Sequence, residues 1–198
     1  DTHAHYDDEQ FDSDRETLLA GMRDRNVGTI INVGASFRGC RASVSLADQY
    51  DFIYAAVGIH PDEIGCMDES VLSWMRETAA SHPKVVAIGE IGLDYHWDVE
   101  PREVQKKWFV RQMELARELG LPIAVHSRDA AKDTFDLIAE YGKGLSGVIH
   151  CYSYSPEMAA EYVKLGYHIG LGGVVTFKNA KKAKETATAI PLERILLE

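Results

Sequence analysis

The sequence has no long hydrophobic run and few cysteines. No apolar stretch approaches the roughly 18 residues from which a membrane-spanning helix is predicted, so we expect no contact with a membrane. The three cysteines, Cys40, Cys66 and Cys151, are widely spaced and form no Cys-x-x-Cys pair. Their odd number argues against a disulfide framework and predicts a protein of the reducing cytoplasm.

Positive charge is also scarce. Lys and Arg number 21 and Asp and Glu number 31, which gives a formal net charge of −10. This balance excludes proteins that bind nucleic acid through a broad basic surface. Nuclease activity stays open, because bound divalent ions are often the largest local charges in a site and can hold a phosphate that the overall field repels.

No Ser/Gly-rich linker, low-complexity tract or clear domain boundary interrupts the chain. Its 198 residues are enough to bury a substantial core. We therefore expect residues 1–198 to form one domain.

Short apolar runs alternate with longer amphipathic segments throughout the sequence. The runs have the length of buried strands, and their spacing fits one strand–helix unit each. The predicted strands are the opening run Asp1–His5 and seven further runs: Thr29–Val33, Ile53–Ile59, Val85–Ile91, Pro122–Val125, Gly147–Ile149, Tyr167–Leu171 and Ile195–Leu197.

The segments between these runs carry helix signals. Ser13–Glu16 has the pattern of a capping box, and Ser155-Pro156 that of an N-cap followed by proline. Residues 108–119 are amphipathic and end at Gly120. Eight strands with intervening helices predict an α/β fold, a (β/α)8 TIM barrel of which the C-terminal helix is absent from this chain. An open doubly wound sheet is the alternative.

The opening run contains His3 and His5. Alternate side chains of a strand share one face, so both imidazoles point to one side, about 6–7 Å apart along the strand. Neutral imidazole is a common ligand of zinc and related ions. This pair therefore predicts a metal site.

Further ligand-type residues follow other predicted strands. In a barrel of parallel strands, the carboxyl ends of the strands form the active-site face. Glu90 lies inside an apolar run, and its carboxylate could bridge two metal ions. Five of the eight histidines lie at predicted strand ends: His3, His5, His60, His126 and His150.

Five residues are candidate substrate contacts. Arg128 follows His126 by two positions and could bind a phosphate, with a surface ion pair as the alternative. Lys178 follows the seventh predicted strand and is a second candidate phosphate contact, or a solvated lysine. We expect His60 to contact substrate, and Tyr95 to stack on a base together with Trp97, although such aromatic residues also occur in lids and cores.

Five motifs resemble the TatD family of metal-dependent hydrolases, in the amidohydrolase superfamily. They are spread over the whole chain: Asp1-Thr2-His3-Ala4-His5, Gly58-Ile59-His60-Pro61, Gly89-Glu90-Ile91-Gly92-Leu93-Asp94, His126-Ser127-Arg128-Asp129-Ala130 and His150-Cys151-Tyr152-Ser153. The resemblance implies a (β/α)8 barrel that holds two divalent metal ions and hydrolyses phosphodiesters, often as a DNA exonuclease. DNA or another phosphodiester is then the expected partner at the mouth of the barrel.

The resemblance also implies which residues bind the metal ions. The sequence departs from the family pattern at one position. His3, His5 and Glu90 would hold one ion, and Glu90, His126 and His150 the other. The family pattern continues Glu-Thr-Asp, and that Asp, a metal ligand and general base, is expected two residues beyond Glu198. Of the residues present, we expect Glu90, Arg128 and Glu198 to be catalytic.

Two other functions remain open. Related barrels hydrolyse lactones, amides and esters, so an ester such as an aminoacyl linkage is one alternative substrate, and a non-catalytic metal-binding scaffold is the other. The metal is also open among Zn, Mn, Mg, Fe and Co. Mixed histidine and carboxylate ligands suit Zn, Mn, Fe or Co, whereas Mg prefers oxygen-rich sites.

Overall fold

The computed structural model describes all residues, 1–198, and contains one sheet of seven parallel strands paired in chain order. Parallel pairing follows from the helical segment that separates each strand from the next. The strands are β1 (Ile30–Val33), β2 (Ile53–Val57), β3 (Val85–Asp94), β4 (Ile123–Arg128), β5 (Gly147–Ile149), β6 (His168–Leu171) and β7 (Ile195–Leu197).

Seven α-helices surround the curled sheet, which has a TIM-barrel-like α/β architecture. They are α1 (Arg15–Ala20), α2 (Phe37–Gln49), α3 (Glu69–Ser81), α4 (Arg102–Leu119), α5 (Ala131–Tyr141), α6 (Pro156–Lys164) and α7 (Lys181–Ala189). Short 3-10 helices complete the connections at Glu9–Phe11, Arg23–Arg25, Pro61–Cys66, Gly173–Thr176 and Leu192–Arg194. None of the helices is both long enough and apolar enough to cross a bilayer.

The opening run, the first of the eight predicted strands, is wrong as a strand. It makes one isolated parallel bridge, Ala4 with Asn32, because the chain turns immediately after it, where the Asp8 amide donates to the His5 carbonyl at 3.0 Å. Its position is nevertheless that of a strand between β1 and β7. The amide of Ala4 donates to Ile31 at 3.1 Å, and that of Thr2 donates to Leu197 at 3.0 Å. The opening residues thus join the first and last strands of the curled sheet.

The helix signals had mixed outcomes. Ser155 caps α6 by accepting the Met158 amide, and α4 ends at Gly120 in the left-handed conformation (φ 67°), both as predicted. The capping box at Ser13–Glu16 is wrong. Asp14 is the N-cap and makes no side-chain cap, because the chain enters α1 directly from a turn in which the Asp14 amide donates to Phe11.

The core that supports the sheet is a cluster of 31 buried apolar residues. Phe109 and Met113 of α4 belong to it, as do Ile88 and Ile91 of β3, so this helix fixes the strand that carries Glu90. The two longest strands, β3 and β4, continue past their predicted ends to Asp94 and Arg128. These extensions bring polar side chains to the carboxyl edge of the sheet.

Candidate functional site

Two histidines of the opening segment face Glu90. The Nε2 atoms of His3 and His5 are 3.2 Å apart, and they lie 3.4 and 3.5 Å from Oε2 of Glu90. Nδ1 of His5 is 2.8 Å from the carbonyl of Val33 and donates to it. Nε2 of His5 therefore presents a lone pair to the cluster, which is the tautomer that metal-binding histidines adopt.

Two more histidines approach the other oxygen of the same carboxylate. Nδ1 of His126, on β4, lies 3.0 Å from Oε1 of Glu90, and Nε2 of His150, after β5, lies 3.4 Å from it. The rings of His3 and His150 stack with centroids 3.6 Å apart. Each oxygen of Glu90 thus faces two of the predicted histidine ligands, and all four of these histidines converge on the buried carboxylate of the fifth predicted ligand.

Glu90 and His126 have shifted pKa values because each faces the other. Burial raises the pKa of Glu90, but hydrogen bonds from His126 and His3 outweigh burial and hold the pKa well below its usual range. Burial also acts to lower the pKa of His126, yet hydrogen bonds and charges from Glu90 and Asp94 raise it above 6.5. The low pKa of Glu90 keeps its carboxylate ionised at neutral pH, and this charge favours the protonated form of His126.

The donor atoms fit divalent metal ions. Two sets share Glu90, namely His3 with His5 and His60 with His126, and within each set the ligand atoms lie within 4.8 Å of one another. His3 also belongs to a set with His150 and Glu198. Nδ1 of His3 is buried and lacks a hydrogen-bond partner. Imidazole nitrogens crowded around one carboxylate are a favourable arrangement for a cation and a poor one without it.

Asp94 belongs to the site and was missed from the sequence. Its side chain is buried, and Oδ2 lies 3.0 Å from Nε2 of His126. Burial raises the pKa of Asp94, but hydrogen bonds from the Trp97 amide, His126 and the His96 amide lower it overall. A signal existed, because Asp94 follows Glu90 by four positions, and residues i and i+4 of a strand share a face.

Gly92 lies between these two carboxylates on β3 and allows β4 to come close. Its φ is +148°, and a Cβ there would lie 1.9 Å from the carbonyl oxygen of His126. Only glycine fits this position without moving the backbone that carries His126.

His60 lies at the edge of the cluster. Its Nδ1 accepts the amide of Asp62 at 3.2 Å, so Nε2 carries the proton, 3.9 Å from Oε1 of Glu90. Burial, the largest effect, lowers the pKa of His60 to about 4 despite the charge of Glu90. His60 is thus a neutral side chain with one N–H donor directed at the site.

Glu198 contacts His150 and not Glu90. Its Oε2 accepts the amide of Cys151 at 2.8 Å and lies 3.3 Å from Nδ1 of His150. A carboxylate on the far nitrogen of a histidine fixes the ring and directs the other nitrogen to the site.

The predicted substrate contacts differ in their surroundings. The Tyr95 hydroxyl donates to Asp133 at 2.8 Å, and the Arg102 guanidinium lies 4.2 Å from the centre of the Tyr95 ring. Arg128 is exposed, forms no ion pair, and lies 5.4 Å from the ring centre of Trp97. Lys178 is also exposed and makes no hydrogen bond or ion pair with the cluster.

Comparison with known proteins matches this geometry to one family. The sequence profile described as TatD related DNase matches residues 1–198. The metal-dependent hydrolase YabD of Bacillus subtilis is 44% identical over 199 residues, which cover 100% of this chain and 78% of YabD. The 3'-5' ssDNA/RNA exonuclease TatD of Rahnella sp. is 32% identical over 192 residues, covering 96% of this chain and 73% of that protein.

A solved structure agrees with the sequence comparison. The crystal structure of YjjV, a TatD homolog from Escherichia coli, superposes with a TM-score of 0.92 at 32% identity. The match covers 100% of this chain and 77% of YjjV.

Proposed function

Because the chain belongs to the TatD-related family of metal-dependent hydrolases, we propose that it hydrolyses phosphodiester bonds at the ends of DNA. The observation that carries this proposal is that the two carboxylate oxygens of Glu90 face different histidine pairs. A carboxylate placed in this way can bridge two ions, and two-metal sites recur in phosphodiester hydrolysis.

The residues have separate roles in this proposal. His3, His5 and Glu90 would hold one divalent ion, and Glu90, His126 and His150 would hold the second. When bound, such ions lower the pKa of a bound water and polarise a phosphoryl oxygen. The nitrogen-rich ligand set favours Zn, Mn, Fe or Co over Mg.

The surrounding side chains orient the ligands and the substrate. Asp94 and Glu198 accept hydrogen bonds from the far nitrogens of His126 and His150, which keeps the ligating nitrogens directed at Glu90. His60 offers its N–H to a substrate oxygen. Arg128, exposed and without an ion-pair partner, supplies a positive charge for a phosphate.

Nucleic acid is the favoured substrate for two reasons. The Rahnella TatD relative is named an exonuclease of single-stranded DNA and RNA. The site also combines a nitrogen-rich ion cluster with an unpaired arginine at its edge, which suits a phosphodiester in a protein whose overall charge is −10.

The test is metal analysis combined with nuclease assays on the full-length protein. End-labelled single-stranded DNA is incubated with Mg, Mn, Zn or Co, with and without EDTA, and two variants are compared. We expect Glu90→Gln to reduce bound metal and cleavage to background. Glu103→Gln, an exposed glutamate on α4, should retain both.

Two results would contradict the proposal. If the metal-loaded protein leaves DNA intact but cleaves an ester or lactone, the substrate is wrong and the metal-dependent hydrolase assignment stands. If Glu90→Gln retains full metal content, the assignment of Glu90 as the shared ligand is wrong.

A further inference from the structure

Trp97 is an exposed indole next to the histidine cluster. It lies in the loop that follows β3 and is 61% exposed, whereas Trp108 is buried and Trp74 is half-buried. Large aromatic side chains contribute most when they are buried, so an indole left in solvent beside a candidate active site suggests a ligand.

The loop holds this indole in a fixed position. Asp94 Oδ1 accepts the amides of His96 and Trp97 at 2.8 and 3.1 Å, while its other oxygen contacts His126. One carboxylate therefore connects the backbone of Trp97 to a proposed metal ligand. The ring of His96, itself 3.0 Å from Asp129, contacts the indole in a T-shaped arrangement with centroids 4.9 Å apart.

A positive charge lies over the same ring. The guanidinium of Arg128 is 5.4 Å from the centre of the indole and forms no ion pair. Arg102 lies closer over the ring of Tyr95, at 4.2 Å, and the Tyr95 hydroxyl is bound to Asp133. Of the two aromatic residues after β3 that were predicted to stack on a base, Trp97 is the exposed one and Tyr95 is half-buried.

We propose that Trp97 and Arg128 form a nucleotide-binding subsite, in which the indole stacks on one unpaired base and the guanidinium contacts the phosphate beside it. This inference rests on the proposed phosphodiesterase function and adds a binding site for the base. Aromatic rings stack on every base, so the subsite would bind without sequence preference. It requires a base with a free face, which internal bases of a duplex lack.

The test compares substrates that differ only in one base. Single-stranded oligonucleotides carry either normal nucleotides or one tetrahydrofuran abasic unit, placed in turn at each of the terminal positions. We expect the wild-type protein to cleave normal substrate about tenfold more efficiently, in kcat/KM, than the substrate whose missing base is the one that stacks. A purely structural role for Trp97 would not distinguish these substrates.

Variants separate stacking from folding. Trp97→Ala should cleave both substrates at the rate at which wild type cleaves the abasic one. Trp97→Phe should restore most of the preference for the normal substrate. Trp74→Phe is the matched control and should behave as wild type. Equal loss on both substrates in Trp97→Ala, or no loss on either, would overturn the subsite and leave the phosphodiesterase proposal standing.

Fluorescence makes the two proposals independent. Because Trp97 is the most exposed tryptophan, we expect an uncleavable phosphorothioate oligonucleotide to quench emission in wild type and Trp74→Phe but not in Trp97→Phe. Quenching without cleavage of any substrate would support the subsite and contradict the phosphodiesterase proposal. Cleavage without quenching by any oligonucleotide would support the phosphodiesterase proposal and contradict the subsite.

Discussion

The imidazole of His126 lies 3.0 Å from the buried carboxylate of Asp94, nitrogen Nε2 to oxygen Oδ2. Its other nitrogen lies 3.0 Å from Glu90. The two carboxylates belong to the same strand, four positions apart, and hold the ring between them. Asp94 is itself fixed, because Gln105 of α4 contacts both its amide and its carbonyl. The ring is therefore preset with Nδ1 toward Glu90.

Replacing Asp94 should weaken metal binding without unfolding the protein. Asp94→Asn keeps an oxygen for the hydrogen bonds but removes the charge that orients His126, so we expect metal affinity to fall about 10- to 100-fold. Chelator competition measures the affinity, and thermal unfolding confirms the fold. The matched control is Asp98→Asn, four residues later in an exposed ion pair with Arg102, which should bind metal as wild type does. Unchanged affinity in Asp94→Asn would show that the contact does not orient the ligand.

Metal affinity should rise with pH. In the metal-free protein the raised pKa of His126 means that the ring carries two protons below that pKa, and the ion must displace the proton on Nδ1. Below the raised pKa, binding therefore costs a proton and is weaker, and well above it this cost vanishes. Glu90 adds no step in this range, because its pKa is lowered.

Calorimetry checks this expectation. Titration in buffers of different ionisation enthalpy, between about pH 6 and pH 9, should show about one more proton released per protein at the lower end than at the upper end. The His126→Asn variant should not show this additional proton release at the lower pH. Proton release that does not change with pH would contradict the assignment of His126.

Gly92 should not tolerate alanine. A methyl group there would lie 1.9 Å from the His126 carbonyl, and φ of +148° is itself costly for any other residue, by about 1–3 kcal/mol. We expect Gly92→Ala to lower the free energy of unfolding by more than Gly120→Ala. Gly120 also has a positive φ, but nothing lies within 4 Å of its added Cβ. Equal losses in denaturant titrations would show that the close approach of β4 is not needed.

The residues that sequence reasoning placed correctly are those whose signal is local. Gly147–Ile149 and Ile195–Leu197 are strands with the predicted bounds, because each is a short apolar run that follows a helical segment. Asp94 was missed because the apolar pattern predicts that β3 ends at Ile91, whereas the strand continues to Asp94 and becomes polar at the site. The hydrogen bonds that place the opening run come from residues far along the chain, such as Leu197, which no local pattern reports.

His60 should affect turnover and not metal content. Its Nδ1 accepts the Asp62 amide, so its Nε2–H is free to donate, and its pKa of about 4 keeps it neutral near neutral pH. A hydrogen bond to a charged substrate oxygen contributes about 1.5–3 kcal/mol, so kcat/KM of His60→Ala should fall roughly 10- to 100-fold. Metal stoichiometry, measured by plasma mass spectrometry on the same samples, should equal that of wild type. Half-buried His82, which pairs with Asp48, offers the control variant His82→Ala, which should change neither quantity. Loss of one metal equivalent in His60→Ala would instead identify His60 as a ligand. His60 is a candidate for that role because its ring nitrogen lies in one possible ligand set with Glu90 and His126.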